Sequence, residues 1–268
     1  MDAVGVIPAR YGSTRFPGKP LVEIAGKPLL THVIEGAKQA KRLSQILVAT
    51  DDERIARAAA ASGAKAVMTD PELPCGTDRV WAALVAAGLT DIDVAVNIHG
   101  DEPLIEGEPL DALVGAFEGA DRSAIEMATL GREMDLATPQ GLEALTASTT
   151  AKIVVDVNDR ALYFSRFPIP FSRISSADAV RQGEFEAVGK CVLKHVGIYA
   201  YRPSFLKRFC QTSSDLERFE GLEQLRALSM GAAIHVVRTK HESWGVDTPG
   251  DVEKIEKMLK EFPHASRR

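Results

Sequence analysis

Residues 3–20 read AVGVIPARYGSTRFPGKP, an apolar run that passes directly into a loop containing two glycines and three cations. Residues 3–7 are too few to form a membrane span or the apolar core of a signal peptide, so they predict a buried first strand. Glycine lets main-chain N–H groups approach a polyanion, and arginine and lysine supply charged hydrogen bonds to phosphate oxygens. The loop therefore indicates a phosphate-binding site, with an ordinary surface loop as the open alternative.

Beyond this loop, strand-like and helix-like segments alternate up to residue 98. The predicted strands cover residues 3–7, 44–50, 64–68 and 92–98, and the predicted helices cover residues 27–42, 53–62 and 76–88. Strands that are apolar on both faces and alternate with helices indicate an α/β fold with a mostly parallel sheet. Ligands of such sheets bind beyond the carboxyl ends of the strands, so the residues directly after each strand are the candidates for chemistry.

The second half of the chain is less regular. It has predicted strands at residues 152–156, 160–164, 195–201 and 233–237, and predicted helices at residues 215–230 and 248–262. A hairpin-like turn is expected at residues 158–160. Residues 167–187 are rich in proline, serine and charged residues, which favours an exposed excursion.

The composition narrows the class of protein. The chain has 268 residues, of which 45% are hydrophobic, and a formal net charge of -5, which is typical of a globular protein. No basic face stands out, so nucleic acid is not an expected partner, and neither is a membrane. The three cysteines, Cys75, Cys191 and Cys210, form no Cys-x-x-Cys pair, which argues against a zinc site or a disulfide framework. A reducing, cytoplasmic location is expected.

Two aspartates are candidates for holding a divalent cation. Asp101 lies in the motif GDEP (residues 100–103), just after the apolar strand at residues 92–98, and Asp247 lies in GVDTP (residues 245–249). Mg²⁺ typically takes one or two protein carboxylates and fills its other positions with water and substrate oxygens. Each motif has an ordinary alternative: GDEP could be a simple turn, and Asp247 could be the N-cap of the following helix.

Eight motifs in this order resemble those of the 3-deoxy-manno-octulosonate cytidylyltransferases, the CMP-KDO synthetases. They are PARYGSTR with PGKP (residues 8–15 and 17–20), VATD (48–51), GTDR (76–79), GDEP (100–103), ALYFSR (161–166), KHVGIY (194–199), LEQLR (222–226) and GVDTP (245–249). Each motif alone is weak, but eight in the right order are specific. The resemblance runs from residue 3 to about residue 260.

The resemblance implies a single nucleotidyltransferase domain over residues 1–268. Its fold would be a mixed, mostly parallel, Rossmann-like sheet with helices on both faces. Residues 1–150 would form a nucleotide-binding half, and residues 151–240 a smaller part for acceptor binding and dimerisation. The implied enzyme transfers CMP from CTP to an acidic sugar, 3-deoxy-D-manno-octulosonate (KDO), with Mg²⁺, and works as a homodimer in lipopolysaccharide or capsule synthesis.

The resemblance also implies roles for particular residues. The triphosphate would be bound by Arg10, Ser13, Arg15 and Lys19, of which Arg15 and Lys19 also assist catalysis. The cytosine and ribose would be surrounded by Pro8, Ala9, Cys75, Gly76 and Arg79. Mg²⁺ would be held by Asp101 and Asp247. The sugar acid would be bound by His99, Arg166, His195, Tyr199, Glu223 and Gln224, with Arg166 pairing with its carboxylate.

Two residues depart from the family pattern. Cys75 stands where the family usually has serine, and His99 stands where it usually has glutamine. His99 leaves open a related acceptor, such as an 8-amino octulosonate or a sialic acid. A different nucleotidyltransferase and a non-catalytic nucleotide-binding protein are more distant alternatives, and the presence of Lys19, Asp101 and Asp247 disfavours the second.

Without the resemblance, the acceptor residues would have ordinary interpretations. His195 could be a core histidine with satisfied ring nitrogens. Tyr199 could be a plain strand residue. Glu223 could be no more than a helix-face partner of Arg226.

Overall fold

The computed structural model describes residues 1–12, 16–119, 124–171 and 189–261. Contacts divide the chain into two compact units. The first unit consists of Met1–Gly115, Ile198–Cys210 and Ser243–Arg268, and the second of Ala116–Gly197 and Gln211–Glu242. Within the described residues, no helix combines the length and the apolar character needed to cross a membrane.

The first unit is built on parallel strands. They are β1 (Ala3–Ala9), β4 (Gln45–Thr50), β5 (Lys65–Met68) and β6 (Val94–Asn97), beside a small hairpin of β2 (Glu23–Ile24) and β3 (Lys27–Pro28). Strand β1 lies between β4 and β6, and β5 lies on the far side of β4. The side chains of β1 are buried on both faces, as its apolar run predicted. Because these strands are parallel, their carboxyl ends meet at one edge of the sheet.

Helices connect these strands. In the first unit they are α1 (Leu29–Ala37), α2 (Glu53–Ala61), α3 (Gly76–Ala87), α4 (Gly107–Gly115), α6 (Pro203–Cys210) and α9 (Pro249–Glu261). Helix α2 begins after Asp52, whose carboxylate accepts a hydrogen bond from the N–H of Arg54. Helix α3 ends at Gly88, which adopts the left-handed conformation that glycine tolerates (φ 71°). These end signals explain why the predicted helices at residues 53–62 and 76–88 are confirmed almost in full.

The second unit combines parallel and antiparallel pairs. Its elements are β7 (Met127–Glu133), α5 (Pro139–Thr146), β8 (Lys152–Val155), β9 (Ala161–Ser165), α7 (Asp215–Glu220), α8 (Gln224–Ser229) and β11 (Ile234–Thr239). Strand β7 is parallel to β11, and β8 is antiparallel to β9. One further strand, β10 (Val192–Tyr201), contributes to both units along its length. Its first residues pair with β8, and its last residues pair antiparallel with β6.

The mixed, mostly parallel α/β fold and all eight predicted strands are confirmed, with shifts of a few residues at their ends. One predicted helix is confirmed only in part, and another is wrong. The helix expected at residues 27–42 covers Leu29–Ala37. It begins after Pro28 because the ψ of that residue, 142°, is extended rather than helical. The single helix expected at residues 215–230 is two helices, because Gly221 adopts a left-handed φ of 64° and ends α7.

The middle of the chain holds elements that the sequence did not indicate. No element was predicted between residues 104 and 151, where the structure has α4, β7 and α5. Most of the excursion expected at residues 167–187 lies outside the described residues. The functional division at about residue 150 stays a prediction.

Candidate functional site

A cavity of about 400 Å³ lies in the first unit, beside the carboxyl ends of β1 and β6. Its walls come from the end of β1 and the loop after it, from the segments that follow β5 and β6, from the start of helix α3, and from Asp247. The lining residues are Pro8, Ala9, Arg10, Lys19, Pro20, Leu73, Pro74, Cys75, Gly76, Arg79, His99, Gly100, Asp101 and Asp247. The cavity therefore brings together the described residues that were predicted to bind the nucleotide and the metal, and His99 with them.

The loop after β1 folds back towards the strand end. The N–H of Gly18 donates to the carbonyl of Tyr11 (3.0 Å), and Gly18 has a left-handed φ of 72°. A short 3-10 turn, Lys19–Leu21, then returns Lys19 to the cavity. Ser13 and Arg15 lie outside the described residues, so their predicted roles stay predictions.

Lys19 contacts both predicted metal ligands. Its Nζ donates to Oδ2 of Asp101 at 2.7 Å and lies 3.6 Å from Oδ1 of Asp247. Two aspartates that are 146 positions apart in sequence thus approach one ammonium group. The N–H of Val246 donates to the main-chain carbonyl of Asp101 (2.9 Å), which holds the segment carrying Asp247 against the GDEP loop.

The donor set fits Mg²⁺ bound together with a substrate. Asp101 and Asp247 are the two carboxylates that could hold an ion here, since both approach Lys19. An ion that usually keeps water and phosphate oxygens in its shell suits a set of two carboxylates.

The electrostatic balance at Asp101 favours its charged form. Burial alone would raise the pKa of this carboxyl, but the charges of His99 and Lys19 and the hydrogen bond from Lys19 outweigh it and lower the pKa. Asp101 is therefore an anion at neutral pH, as a metal ligand must be.

The GDEP loop lies directly on the strand end because of its glycine. A Cβ on Gly100 would lie 2.7 Å from the carbonyl oxygen of Pro8, so any larger residue would push the loop away. This close approach places Asp101 beside Lys19. The alternative that GDEP is a simple turn does not explain why its aspartate faces a lysine in the cavity.

The helix α3 side of the cavity contains Arg79, which is almost fully buried. Its guanidinium donates to Oγ1 of Thr69 (2.6 Å) and lies 3.4 Å from Oδ2 of Asp51. Burial lowers the pKa of Arg79, while the charge of Asp51 opposes that shift. Asp51 also accepts from the N–H of Tyr11 (3.4 Å). It was quoted within the VATD motif but was given no role, and its position after β4 was the signal that could have identified it.

Cys75 occupies the N-cap position of helix α3. Its thiol donates to Oδ2 of Asp78 at 2.9 Å, and its side chain makes no hydrogen bond to a main-chain N–H of the helix. Serine, the usual family residue, is a strong N-cap because its oxygen accepts such a bond. The cysteine contacts the side chain of Asp78, three positions on, but does not form the capping bond.

Glu102 is a buried residue of the site that the sequence did not single out. Its Oε1 accepts from the hydroxyl of Ser243 at 2.5 Å and lies 4.0 Å from Nδ1 of His99. Together with the Val246 bond, this contact joins the GDEP loop to the segment that carries Asp247. The only sequence signal was its place beside Asp101.

The N-cap alternative for Asp247 is wrong. Helix α9 begins at Pro249, so the N-cap position belongs to Thr248. The N–H and the hydroxyl of Thr248 both donate to Oδ2 of Asp251 (2.9 and 2.8 Å), and the N–H of Asp247 donates to the same atom (3.2 Å). Asp251 thus satisfies the helix start, and the carboxylate of Asp247 faces Lys19.

The predicted sugar-binding residues fall in both units. In the first unit, the rings of His99 and Tyr199 have centroids 6.2 Å apart, and Tyr199 lies opposite Asn97 in the pairing of β10 with β6. His99 lines the cavity, whereas Tyr199 is a buried strand residue behind it.

In the second unit, His195 and Gln224 come together. Nδ1 of His195 lies 3.5 Å from Nε2 of Gln224, and Nε2 of His195 lies 3.1 Å from Oγ1 of Thr129. Both ring nitrogens thus have protein partners, as the ordinary interpretation of this histidine expected. Glu223 directly precedes helix α8, and the guanidinium of Arg226 forms an ion pair with Glu217.

Arg166 comes directly after strand β9 and is exposed. Its Nε donates to the carbonyl of Glu220 and its Nη1 to the carbonyl of Ser148, both at 3.2 Å. Its main-chain N–H donates to Oε2 of Glu220 (3.0 Å). The guanidinium is thus held in place by two main-chain carbonyls.

The chain is similar to known cytidylyltransferases. Residues 4–237 match the model of a family described as cytidylyltransferase. A 3-deoxy-manno-octulosonate cytidylyltransferase from Bdellovibrio bacteriovorus is 50% identical over 97% of this chain and 98% of its own length. An 8-amino-3,8-dideoxy-manno-octulosonate cytidylyltransferase from Shewanella baltica is 43% identical over 97% of this chain and 99% of its own length.

A solved structure is similar over the same extent. It is that of CMP:2-keto-3-deoxy-manno-octonic acid synthetase complexed with CTP, and it superimposes with a TM-score of 0.83 at 39% identity. The match covers 97% of this chain and 99% of that one.

Proposed function

The chain belongs to the cytidylyltransferase family, and from this premise we propose that it transfers CMP from CTP to the anomeric hydroxyl of KDO, releasing pyrophosphate. The observation that carries the proposal is the meeting of Asp101, Asp247 and Lys19 at the mouth of the cavity. The 3-deoxy-manno-octulosonate cytidylyltransferase from Bdellovibrio bacteriovorus is identical at half of the aligned positions along nearly the whole chain, which supports this acceptor.

The proposed reaction is attack of the sugar hydroxyl on the α-phosphorus of CTP. A new O–P bond forms, the bond from the α-phosphorus to the bridging oxygen breaks, and the hydroxyl proton leaves to solvent. Such a transfer needs in-line positioning and stabilisation of charge rather than a covalent intermediate. Lys19 suits the second task, because an ammonium has three donors and its bond to Asp101 leaves others for phosphate oxygens.

Mg²⁺ is the proposed cofactor, and Asp101 and Asp247 would hold it. When bound, it would polarise the α-phosphate and favour ionisation of the attacking hydroxyl. The protein contributes the placement of the two carboxylates through the Val246 N–H and the Glu102–Ser243 bond. The charge of Lys19 and its hydrogen bond help to lower the pKa of Asp101, which favours the carboxylate form of that ligand.

The nucleotide would lie between the strand ends and helix α3. Arg10, with Ser13 and Arg15 of the same loop, would bind the triphosphate. Arg79 is fixed by Thr69 and Asp51, so it presents a rigid wall to the cytosine and ribose rather than a mobile charge. Pro8, Ala9, Cys75 and Gly76 complete that wall.

For the acceptor, we propose that Arg166 binds the sugar carboxylate, because a guanidinium offers two parallel N–H donors to a planar carboxylate. His99, His195, Tyr199, Glu223 and Gln224 are the proposed partners of the sugar hydroxyls. The product, CMP-KDO, would supply lipopolysaccharide or capsule synthesis.

A cytoplasmic homodimer is the proposed form of the enzyme. The sequence support for this location is that Cys75, Cys191 and Cys210 form no Cys-x-x-Cys pair or disulfide framework, which suits a reducing compartment. Large apolar side chains of the second unit face solvent: Phe167, Phe171 and Phe219 are 74%, 88% and 93% exposed. Aromatic side chains exposed to this degree are typical of interfaces. A second copy of the chain is the proposed partner, and the mass measured by light scattering would test it.

The function is tested by pyrophosphate release. The purified protein with Mg²⁺ is given CTP and, in turn, KDO, 8-amino-KDO and a sialic acid, with ATP, GTP and UTP replacing CTP as controls. We expect turnover with CTP and KDO, and much less with other nucleotides. Turnover with the amino sugar alone would change the acceptor but keep the reaction. No pyrophosphate with any acceptor, despite CTP binding, would favour a non-catalytic protein.

A further inference from the structure

Lys152 is a buried cation of the second unit that belongs to neither the nucleotide site nor the proposed acceptor contacts. It is the first residue of strand β8 and has no exposed surface. Its Nζ donates to the main-chain carbonyls of Ala147 (3.0 Å), Thr150 (2.7 Å) and Arg166 (2.5 Å). These bonds use all three N–H donors of the ammonium group.

The burial of a charged lysine at this position is energetically costly and calls for an explanation. Buried lysines are rare and are usually paired with a carboxylate, whereas the three acceptors here are neutral carbonyls. Burial lowers the pKa of Lys152, the charge of Glu220 opposes that shift, and the charge of Arg166 adds to it. A buried methionine would fill similar space without the cost of desolvating a charge.

The three carbonyls belong to the two segments that fix Arg166. One is the carbonyl of Arg166 itself. The main-chain N–H of Arg166 donates to the carboxylate of Glu220. The others, Ala147 and Thr150, flank Ser148, and the carbonyl of Ser148 accepts from Nη1 of Arg166. A single ammonium group therefore ties the main chain from which the arginine extends to the loop that receives its guanidinium.

We propose that Lys152 is a positioning residue for Arg166, which it aims at the carboxylate of the acceptor sugar. The inference rests on the proposed role of Arg166. In this role Lys152 does not touch the substrate. It fixes the main chain from which the Arg166 side chain extends and the direction in which that side chain points.

The test compares three variants by steady-state kinetics and CTP titration. Lys152→Met removes the donors, Lys152→Gln keeps two N–H donors without the charge, and Ile153→Ala is a buried control on the same strand whose side chain points to the opposite face. For Lys152→Met we expect the KM for KDO to rise about tenfold and CTP affinity to change less than about twofold. The reason is that a displaced Arg166 guanidinium weakens only the contact with the acceptor. Lys152→Gln should fall between wild type and Lys152→Met, and it carries the comparison if the methionine variant fails to fold.

A merely structural role predicts a different pattern. Ile153→Ala should lower the melting temperature while leaving the KM for KDO unchanged. An equal rise of that KM in Ile153→Ala, or no rise in either Lys152 variant, would overturn the inference.

A double-mutant cycle with Arg166→Ala separates this inference from the function on which it rests. If Lys152 acts through Arg166, Lys152→Met should change the KM for KDO by less than about twofold once Arg166 is alanine. A full tenfold rise in that background would contradict positioning while leaving the role of Arg166 intact. If Arg166→Ala itself leaves the KM for KDO unchanged, both the proposed binding of the sugar carboxylate by Arg166 and the inference about Lys152 are wrong. Turnover of CTP and KDO would still support the cytidylyltransferase activity.

Discussion

Lys19 in the first unit is held differently from Lys152 and Arg166 in the second unit. In the first unit, Lys19 meets two carboxylates at the edge of an open cavity. In the second unit, Lys152 and Arg166 are held by the main-chain carbonyls of neighbouring segments. An ammonium group that is bound by carboxylates, such as Lys19, can also stabilise the negative charge that develops on a reacting phosphate. Cations that are bound by main-chain carbonyls, such as Lys152 and Arg166, are held in one geometry. We therefore expect changes in the first unit to act on turnover and changes in the second unit to act on acceptor binding.

The largest effect is expected at Asp247. Asp247→Asn removes one of the two carboxylate charges at Lys19 and should lower kcat by roughly two to three orders of magnitude. Asp101→Asn should do the same. The measurement is kcat at saturating CTP and KDO over a range of Mg²⁺ concentrations, with direct Mn²⁺ binding as a second readout. Near-normal turnover of both variants at limiting Mg²⁺ would contradict the two-carboxylate assignment.

Asp251→Asn is the matched control, because it is the same chemical change four residues away. Hydrogen bonds from Lys254 and Thr248 lower the pKa of Asp251 to about 2. Its carboxylate therefore stabilises the folded state at neutral pH, and this contribution disappears as the pH falls from about 4 towards 2. The variant should lose about 0.5–1 kcal/mol of stability at neutral pH and keep its turnover. Loss of turnover in both variants would show that the segment, not the carboxylate of Asp247, is what matters.

Lys19→Met should give the next largest effect. The substitution keeps the length of the side chain and removes its charge, so kcat should fall about 100-fold, while CTP affinity falls much less. Kinetics and equilibrium CTP titration measure the two quantities separately. If the whole loss lies in CTP affinity, Lys19 is a ground-state contact, and the contrast between the two units is weaker than proposed.

A smaller effect is expected in the second unit at Arg166. Arg166→Lys keeps the positive charge and loses the fork of donors, so the KM for KDO should rise about tenfold, equivalent to roughly 1.4 kcal/mol. The KM for CTP and the value of kcat should stay close to those of the wild type. A drop in kcat with an unchanged KM for KDO would place Arg166 with the charged residues of the first unit.

The sequence predicted the first unit well for a physical reason. Buried parallel strands have continuous apolar runs, and the loops at their carboxyl ends must meet at one edge of the sheet. The positions of Lys19 and Asp101 could therefore be anticipated before any distance was known, whereas Arg79, on helix α3, was identified only by resemblance to a family. The partner of each group could not be predicted in this way. Nothing in the GDEP motif indicates that Glu102 reaches Ser243, and nothing in the VATD motif indicates that Asp51 lies beside Arg79.

The second unit was harder to predict because its secondary structure depends on tertiary contacts. Strand β7 contains Gly131, and a Cβ there would lie 2.7 Å from side-chain atoms of Leu193 and Val236, so close packing rather than strand propensity determines this residue. Gly221 breaks a helical pattern that looks continuous. The acceptor residues were identified only by resemblance to a family. Lys152 appeared to be an ordinary strand residue until its three carbonyl partners were visible.

The smallest effect is expected at His99, and it tests whether the division of labour coincides with the two units. His99 belongs to the first unit and lines the cavity, but it is proposed to contact the acceptor. Glutamine, the usual family residue, offers both a donor and an acceptor as imidazole does, so His99→Gln should change the KM for KDO less than about threefold. KDO and 8-amino-KDO should be assayed side by side with both proteins.

The informative outcome is the pattern across the two sugars. Equal small changes for both would mean that His99 contacts a group they share, and that the first unit touches the acceptor without selecting it. A change confined to the amino sugar would place the imidazole near the far end of the acceptor and make it a specificity residue. A large fall in kcat with both sugars, at unchanged KM, would instead tie His99 to Asp101, whose pKa its charge helps to lower. In that case the residue works with the charged centre of the first unit, and acceptor recognition lies with the second unit alone.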